Sequence, residues 1–125
     1  MMTPYQDKAL ALEERTIAFS VSIIKTCGQY SKDFSLRPLI DQVIRSSTSI
    51  GANYAEANNA ISKADFRSKI FISKKEAAET RYWLRVLNEL VDNKHLPVLH
   101  QEAHELNLIF QKIISTMKSD AQNGN

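Results

Sequence analysis

Apolar residues recur along this chain at intervals of three and four positions, and polar segments interrupt that pattern three times. This spacing places side chains on one side of an α-helix, because the helix completes a turn every 3.6 residues. The pattern predicts four helices, at about residues 5–30, 37–60, 63–91 and 97–118. Residues 119–125 are polar, and we expect them to form a frayed tail.

The third and fourth predicted helices have the most regular apolar rows, in which the spacing alternates between four and three. The first of these rows is Phe66, Ile70, Ser73, Ala77, Thr80, Leu84, Leu87 and Val91, and the second is Leu99, Ala103, Leu106, Phe110, Ile113 and Met117. A period of 3.5 residues is typical of helices in left-handed bundles. With the short connections between helices, it predicts an all-α fold, an antiparallel up-and-down four-helix bundle forming a single domain over residues 1–125.

Two apolar faces run along the first predicted helix on roughly opposite sides. The members of one face are Leu10, Ile17, Val21 and Ile24, and those of the other are Leu12, Phe19, Ile23 and Cys27. A helix with two apolar faces needs two partners. One partner is the core of the domain, and the other is a further helix of the same subunit or a second subunit. A homo-oligomer is therefore one of the two arrangements that this pattern predicts.

Small residues mark a region of close packing in the second predicted helix. Large apolar groups are few from Ser46 to Ala52, and Gly51 lies inside the helix. A glycine within a helix costs roughly 1 kcal/mol relative to alanine, so the close approach of a neighbouring helix is the expected reason for it. Ser62 and Asp65 have the spacing of a capping box and predict the start of the third helix.

Candidate catalytic and metal-binding patterns are weak in this sequence. His100 and His104 share a helix face, but the intervening residues do not form the HExxH zinc motif and no third ligand is evident. A packed or solvated helix face is the favoured interpretation of this pair. Cys27 belongs to an apolar face, which indicates a packed thiol rather than a nucleophile. No phosphate-binding loop or nucleophile motif is present, so we expect a protein that is not an enzyme, without metal, cofactor or small-molecule substrate.

Composition agrees with a location in the cytoplasm and adds little about partners. A single cysteine excludes an internal disulfide and fits a reducing compartment. No stretch is long and apolar enough for a signal core or a membrane span, so we expect no membrane partner. The formal net charge of +2 is too small to require a polyanionic partner.

The positive charge of the third predicted helix is concentrated in one row, here called the basic stripe. Its members are Lys63, Arg67, Lys74, Arg81 and Arg85. They project within about 40° of one another along about 33 Å of helix. Acidic residues of the next helix could pair with them, or an oligomer could present them to the phosphates of RNA or DNA. Tyr82 and Trp83 point away from the stripe, so stacking on bases is not supported.

Two glutamates lie beside the packed rows and need partners. Glu56 sits among small residues, and Glu79 lies close to Trp83 in the sequence. They either form ion pairs with basic residues of adjacent helices or belong to a polar interface between subunits. The first interpretation is favoured, because a charge beside a packed row needs a partner wherever it lies.

Several of these residues together resemble a known family, the 23S rRNA intervening-sequence proteins. The resemblance covers a Ser-rich helix, a Gly-Ala-Asn-x-Ala-Glu run, then Ser-x-x-Asp-Phe and a Glu-x-x-x-Trp-Leu ending. The residues that carry it, and that are candidates for structural or interface roles, are Ser46, Gly51, Asn53, Glu56, Asp65, Phe66, Glu79 and Trp83.

The resemblance implies an assembly more clearly than an activity. Members of the family are encoded in insertions within bacterial 23S rRNA genes, and similar proteins form homopentamers. A related branch is the accessory protein of diversity-generating retroelements, which is basic and works with nucleic acid. The modest charge of this chain departs from that branch. The resemblance thus implies a homo-oligomer, expected to be a pentamer, and the stripe adds the expectation of a contact with RNA or DNA. The alternative is a protein-binding scaffold or accessory subunit without nucleic acid.

Overall fold

The computed structural model describes residues 1–123, which form four α-helices and no β-strand. The helices are α1 (Pro4–Cys27), α2 (Arg37–Asn58), α3 (Lys63–Leu90) and α4 (His95–Gln122). A short 3₁₀ helix, Gly28–Tyr30, follows α1. The predicted all-α class is confirmed.

Hydrogen bonds from side chains fix the starts of three helices. At α1, the Thr3 oxygen accepts from the Gln6 amide while the Gln6 side chain accepts from the Thr3 amide, which completes a capping box. At α3, the Ser62 oxygen accepts from the Asp65 amide at 3.0 Å, which is half of the predicted capping box. The Asn93 side chain accepts from the His95 amide at 3.0 Å, so α4 begins two residues before Pro97.

The helix ends differ from the sequence prediction by a few residues. The chain tightens into the 3₁₀ helix after Cys27, where the Ser31 hydroxyl donates to the Gly28 carbonyl. The α4 helix continues to Gln122, through much of the segment for which fraying is predicted, because no glycine or proline interrupts it before Gly124. Residues 124–125 of that predicted tail lie outside the described residues.

The helices pack in chain order around one apolar core. Neighbours along the chain contact each other extensively, whereas α1 meets α4 over a smaller area. The large side chains with the least exposure come from all four helices and are Ile23, Ile40, Ile50, Ile70, Leu84, Leu87, Leu96, Leu106 and Phe110. This arrangement is a four-helix bundle.

The predicted apolar rows agree with the core, apart from one position in α4. In α4, Ile114 is buried and Ile113 only partly so, because the row drifts around a helix of 3.6 residues per turn. In α1, Phe19, Ile23 and Cys27 are buried.

The opposite apolar face of α1 has no partner within residues 1–123. The exposed fraction is 43% at Leu10, 50% at Ile17, 44% at Val21 and 48% at Ile24. We call these four residues the open face.

Small residues allow α1, α2 and α3 to approach closely. A Cβ atom on Gly51 would lie 2.6 Å from the Thr16 hydroxyl oxygen and 2.9 Å from the Thr16 Cβ. On the α3 side, the Ser73 hydroxyl donates to the Ile50 carbonyl at 2.9 Å. The Thr80 and Ser46 hydroxyl oxygens also lie 2.9 Å apart, and both residues are fully buried. The predicted close approach at Gly51 is therefore a contact with α1.

Gly51→Ala should lower the free energy of unfolding by about 1–2 kcal/mol, because the clash outweighs the better helix propensity of alanine. Urea denaturation followed by circular dichroism measures the change. Gly28→Ala is the matched control, since a Cβ there meets no atom within 4 Å and its φ is −59°. Its stability should be unchanged or slightly raised. Equal stability of both variants would contradict the close α1–α2 contact.

Candidate nucleic-acid interface

The basic stripe lies along the edge of α3 that borders α4. Lys63, Arg67 and Arg85 are exposed, while Lys74 and Arg81 are half-buried. The Asn107 side chain of α4 donates to the Lys74 carbonyl at 3.0 Å, which places this edge against α4. Of the five predicted residues, three are thus exposed to solvent and two are partly covered.

Acidic side chains do not neutralise this stripe within the described chain. The ion pairs found among residues 1–123 use Arg15, Arg45 and Lys69 as their basic partners. Glu102 and Glu105 of α4 both face Arg15 of α1, at 2.6 Å and 3.8 Å. Glu102 and Glu105 are therefore used elsewhere. Asp120, the third acid of α4, lines the same pocket as Lys63 and Arg67 but forms no ion pair with either, so the stripe is unpaired among residues 1–123.

Two histidines of α4 join the stripe near its C-terminal half. Burial lowers the pKa of His100, and the positive charges of Arg81 and Arg85 and the neighbouring His104 lower it further. The Arg81 Nε and the His104 Nδ1 are both buried and have no hydrogen-bond partner within residues 1–123. From the sequence, these histidines are expected on a packed or solvated helix face, and their spacing gives no sign that they lie near the stripe.

The surroundings of this histidine pair do not favour a metal ion. Within residues 1–123 no group of three or more His, Cys, Asp or Glu side chains could hold one. The nearby arginines would also repel a cation. Cys27 is buried, and burial raises the pKa of its thiol to about 11, which keeps the thiol protonated and unreactive near neutral pH.

The glutamates singled out from the sequence form ion pairs within one chain. Glu56 of α2 lies 2.7 Å from Lys69 Nζ of α3. Glu79 of α3 accepts from Arg45 of α2 and, at 3.1 Å, from the Trp83 indole. These contacts correspond to the first of the two interpretations, ion pairing between adjacent helices.

One acidic residue of this network was missed by the sequence analysis. Glu76 is only 7% exposed, and its carboxylate lies 3.2 Å from Arg45 Nη1. Its position between Ser73 and Ala77, both in the core row, is a signal in the sequence that it borders the core. Arg45 thus holds two carboxylates of α3 and fixes the register of α2 against it.

Arg45→Ala should lower the free energy of unfolding by about 2 kcal/mol, because it leaves the buried Glu76 carboxylate without its partner. Thermal or urea denaturation measures this loss. In a Glu76→Gln background the same substitution should cost less than about 1 kcal/mol, since no buried charge is stranded. An equal cost in both backgrounds would show that Glu76 does not depend on Arg45.

The other structural candidates lie along the contact of α2 with α3 and do not converge on one site. The Asn53 side chain donates to the Ser49 carbonyl of its own helix at 2.8 Å. Asp65 lies in the first turn of α3, and Phe66 packs against the core while partly exposed. The Tyr82 ring meets Trp83 edge-on, with centroids 5.1 Å apart. Of these residues, Phe66 also lines a shallow pocket between the start of α3 and the end of α4.

Comparison with protein families identifies the group to which this fold belongs. The model of the 23S rRNA-intervening sequence protein family matches residues 8–112. This chain belongs to that family. Among proteins with curated functions, none matches the chain.

A solved structure of this group agrees with the fold. It is a crystal structure of a protein with unknown function from the S23 ribosomal protein family of Bacteroides thetaiotaomicron. It is 33% identical to this chain, with a TM-score of 0.78, and the match covers 86% of this chain and 98% of that one. Among residues 1–123 of the intervening-sequence protein, no helix combines the length and apolar character needed to cross a membrane.

Proposed function

We propose that this intervening-sequence protein is a non-enzymatic, homo-oligomeric helical bundle that contacts the phosphates of RNA or DNA through the basic stripe. The observation that carries the proposal is that none of the ion pairs found among residues 1–123 involves a residue of the stripe. Uncompensated arginine and lysine side chains along one helix match the repeating charge of a nucleic-acid backbone.

The proposed architecture is an antiparallel, up-and-down bundle. Contacts between α2 and α3 support it, because Arg45 meets Glu79 while Glu56 meets Lys69, so that early residues of one helix meet late residues of the other. The Asn93 side chain, between α3 and α4, also donates to the Tyr30 hydroxyl, between α1 and α2, at 3.0 Å. Both connections therefore lie at the same end of the bundle.

Assembly is proposed to occur through the open face of α1. Four aliphatic side chains in a row, each 43–50% exposed, form the kind of surface that a second subunit covers. The number of five subunits comes from the family resemblance. We place the assembly in the cytoplasm, in agreement with the free thiol of Cys27.

Fluorescence anisotropy with a labelled 23S rRNA fragment tests the nucleic-acid contact. The full chain should bind the RNA at low salt and release it as salt increases. A double-stranded DNA of equal length in parallel shows whether the contact distinguishes RNA from DNA. No binding to either nucleic acid at 50 mM salt would reject the proposed function.

A protein-binding scaffold is the second candidate function. The same open face favours it, because an apolar row can receive a different protein instead of a second copy. Affinity purification with and without nuclease separates the candidates. A single protein retained in stoichiometric amount after nuclease treatment, together with loss of that protein in an Ile17→Asp variant, would support the scaffold.

A further inference from the structure

Four nitrogen-bearing side chains meet where α3 borders α4. Arg81 and Arg85 are one turn apart on α3, and His100 and His104 are one turn apart on α4. The Asn107 side chain meets the Lys74 carbonyl at 3.0 Å, and Arg81 and His100 each lie seven residues, or about two turns, from that contact. The positive charges of Arg81, Arg85 and His104 also lower the pKa of His100, which agrees with their proximity. We call them the Arg–His cluster.

The charged groups around the cluster leave it without a counter-ion. On the other side of α4, Glu102 and Glu105 pair with Arg15 of α1. The acids that follow the cluster in the sequence, Glu89 and Asp92, are exposed and take part in none of the ion pairs found among residues 1–123. The cluster therefore has an excess of positive charge that no ion pair found among residues 1–123 neutralises.

Unmet hydrogen bonds indicate what kind of ligand the cluster would accept. Arg81 Nε is a donor, and it is buried without an acceptor in the described chain. His104 Nδ1 is also buried without a hydrogen-bond partner in the described chain, and it is a donor when the imidazole is cationic. A buried polar nitrogen without a partner is costly, so a ligand that supplies acceptor oxygens would be stabilised here.

We propose that Arg81, Arg85, His100 and His104 form a binding site for a phosphate group, and that the site binds more tightly as the pH falls. Guanidinium groups supply donors in the planar fork that suits phosphate oxygens. The imidazoles add positive charge when protonated. The identification of this phosphate as a phosphodiester of nucleic acid rests on the proposed function. The ability of the site to bind a phosphate group is independent of it.

The direction of the pH dependence follows from the state of His100. In the free protein its pKa lies below the ordinary value of 6.5, so the ring is neutral at pH 7.5. A bound phosphate favours the cationic ring, and binding therefore takes up a proton. A phosphodiester keeps one negative charge over this range. Affinity for it should consequently rise as the pH falls below 6.5.

Anisotropy titrations with labelled single-stranded RNA at constant ionic strength, from pH 8.0 to 5.5, test this gain. The full-length protein should bind roughly tenfold more tightly at pH 5.5 than at pH 7.5. The double variant His100→Gln, His104→Gln should lose most of that gain. His95→Gln is the matched control, because His95 is an exposed histidine at the start of α4 outside the cluster. It should keep the pH profile of the unmodified protein.

A second experiment uses inorganic phosphate and needs no variant. Imidazole NMR signals of His100 and His104 are followed at pH 6.0 as phosphate is added, with His95 as internal reference and sodium chloride at equal ionic strength as control. Saturable shifts confined to His100 and His104, absent with chloride, are expected. This experiment remains decisive if the double variant does not fold.

The outcomes separate this proposal from the proposed function. RNA binding without a pH gain, or with a gain that the double variant retains, overturns the Arg–His site and leaves nucleic-acid contact standing. Phosphate-specific shifts without RNA binding support the site and reject nucleic-acid contact. Absence of both RNA binding and phosphate shifts overturns both.

Discussion

Replacement of Arg67, Lys74 and Arg81 by alanine should lower the affinity for RNA roughly 100-fold at low salt. The three residues lie on the stripe and form none of the ion pairs found among residues 1–123, so their charges can meet phosphates. Each lost contact removes a share of the counter-ion release that drives binding. Anisotropy titration of the purified full-length variant measures the effect.

A control of equal charge distinguishes the stripe from general electrostatic attraction. Lys8, Lys25 and Lys32 are exposed and lie on α1 or the connection that follows it, away from α3. Replacing either set of three by alanine changes the formal net charge from +2 to −1. The control should lose less than about fivefold in affinity. Equal losses from both sets would show that net charge, and not the stripe, governs binding.

The double substitution Ile17→Asp, Val21→Asp should dissociate the assembly into single chains. These side chains are 50% and 44% exposed in the isolated bundle, so the new charges remain hydrated there and the fold is retained. In an interface they would be buried without partners, which costs several kcal/mol per charge. Light scattering should give a mass near the 14.2 kDa of one chain for the variant.

The unmodified protein should have about five times that single-chain mass. Ile61→Asp, Leu90→Asp is the matched control, because these aliphatic residues are 98% and 59% exposed and lie beyond α1. It should keep the mass of the unmodified protein, and circular dichroism should show unchanged helix content in both variants. A single-chain mass for the unmodified protein, or no change in the Ile17, Val21 variant, would contradict assembly through the open face.

The sequence correctly predicted the features that depend on residues of a single helix. The core row of α3, from Ile70 to Leu87, is buried as its spacing predicts, because periodicity and burial have the same geometric cause. Ser62 caps the helix that it precedes, since a cap depends on residues only three positions away. Family membership was also evident from local motifs around Gly51 and Trp83.

Contacts between helices could not be predicted in the same way. Arg45 and Glu79 are 34 positions apart, and Arg15 and Glu102 are 87 apart. Their pairing depends on how each helix is rotated about its axis, which the spacing within one helix does not fix. The proximity of His100 on α4 to Arg81 on α3 could not be predicted for the same reason.

The salt dependence of RNA binding tests the central claim, that the stripe contacts phosphates, most directly. The logarithm of the association constant is measured against the logarithm of salt concentration for the unmodified chain and for the Arg67, Lys74, Arg81 variant. We predict a straight line with a negative slope, and a slope shallower by about 2 in the variant, since each phosphate contact contributes about 0.7 for a single strand. Parallel lines for the two proteins, or binding that does not respond to salt, would contradict the claim.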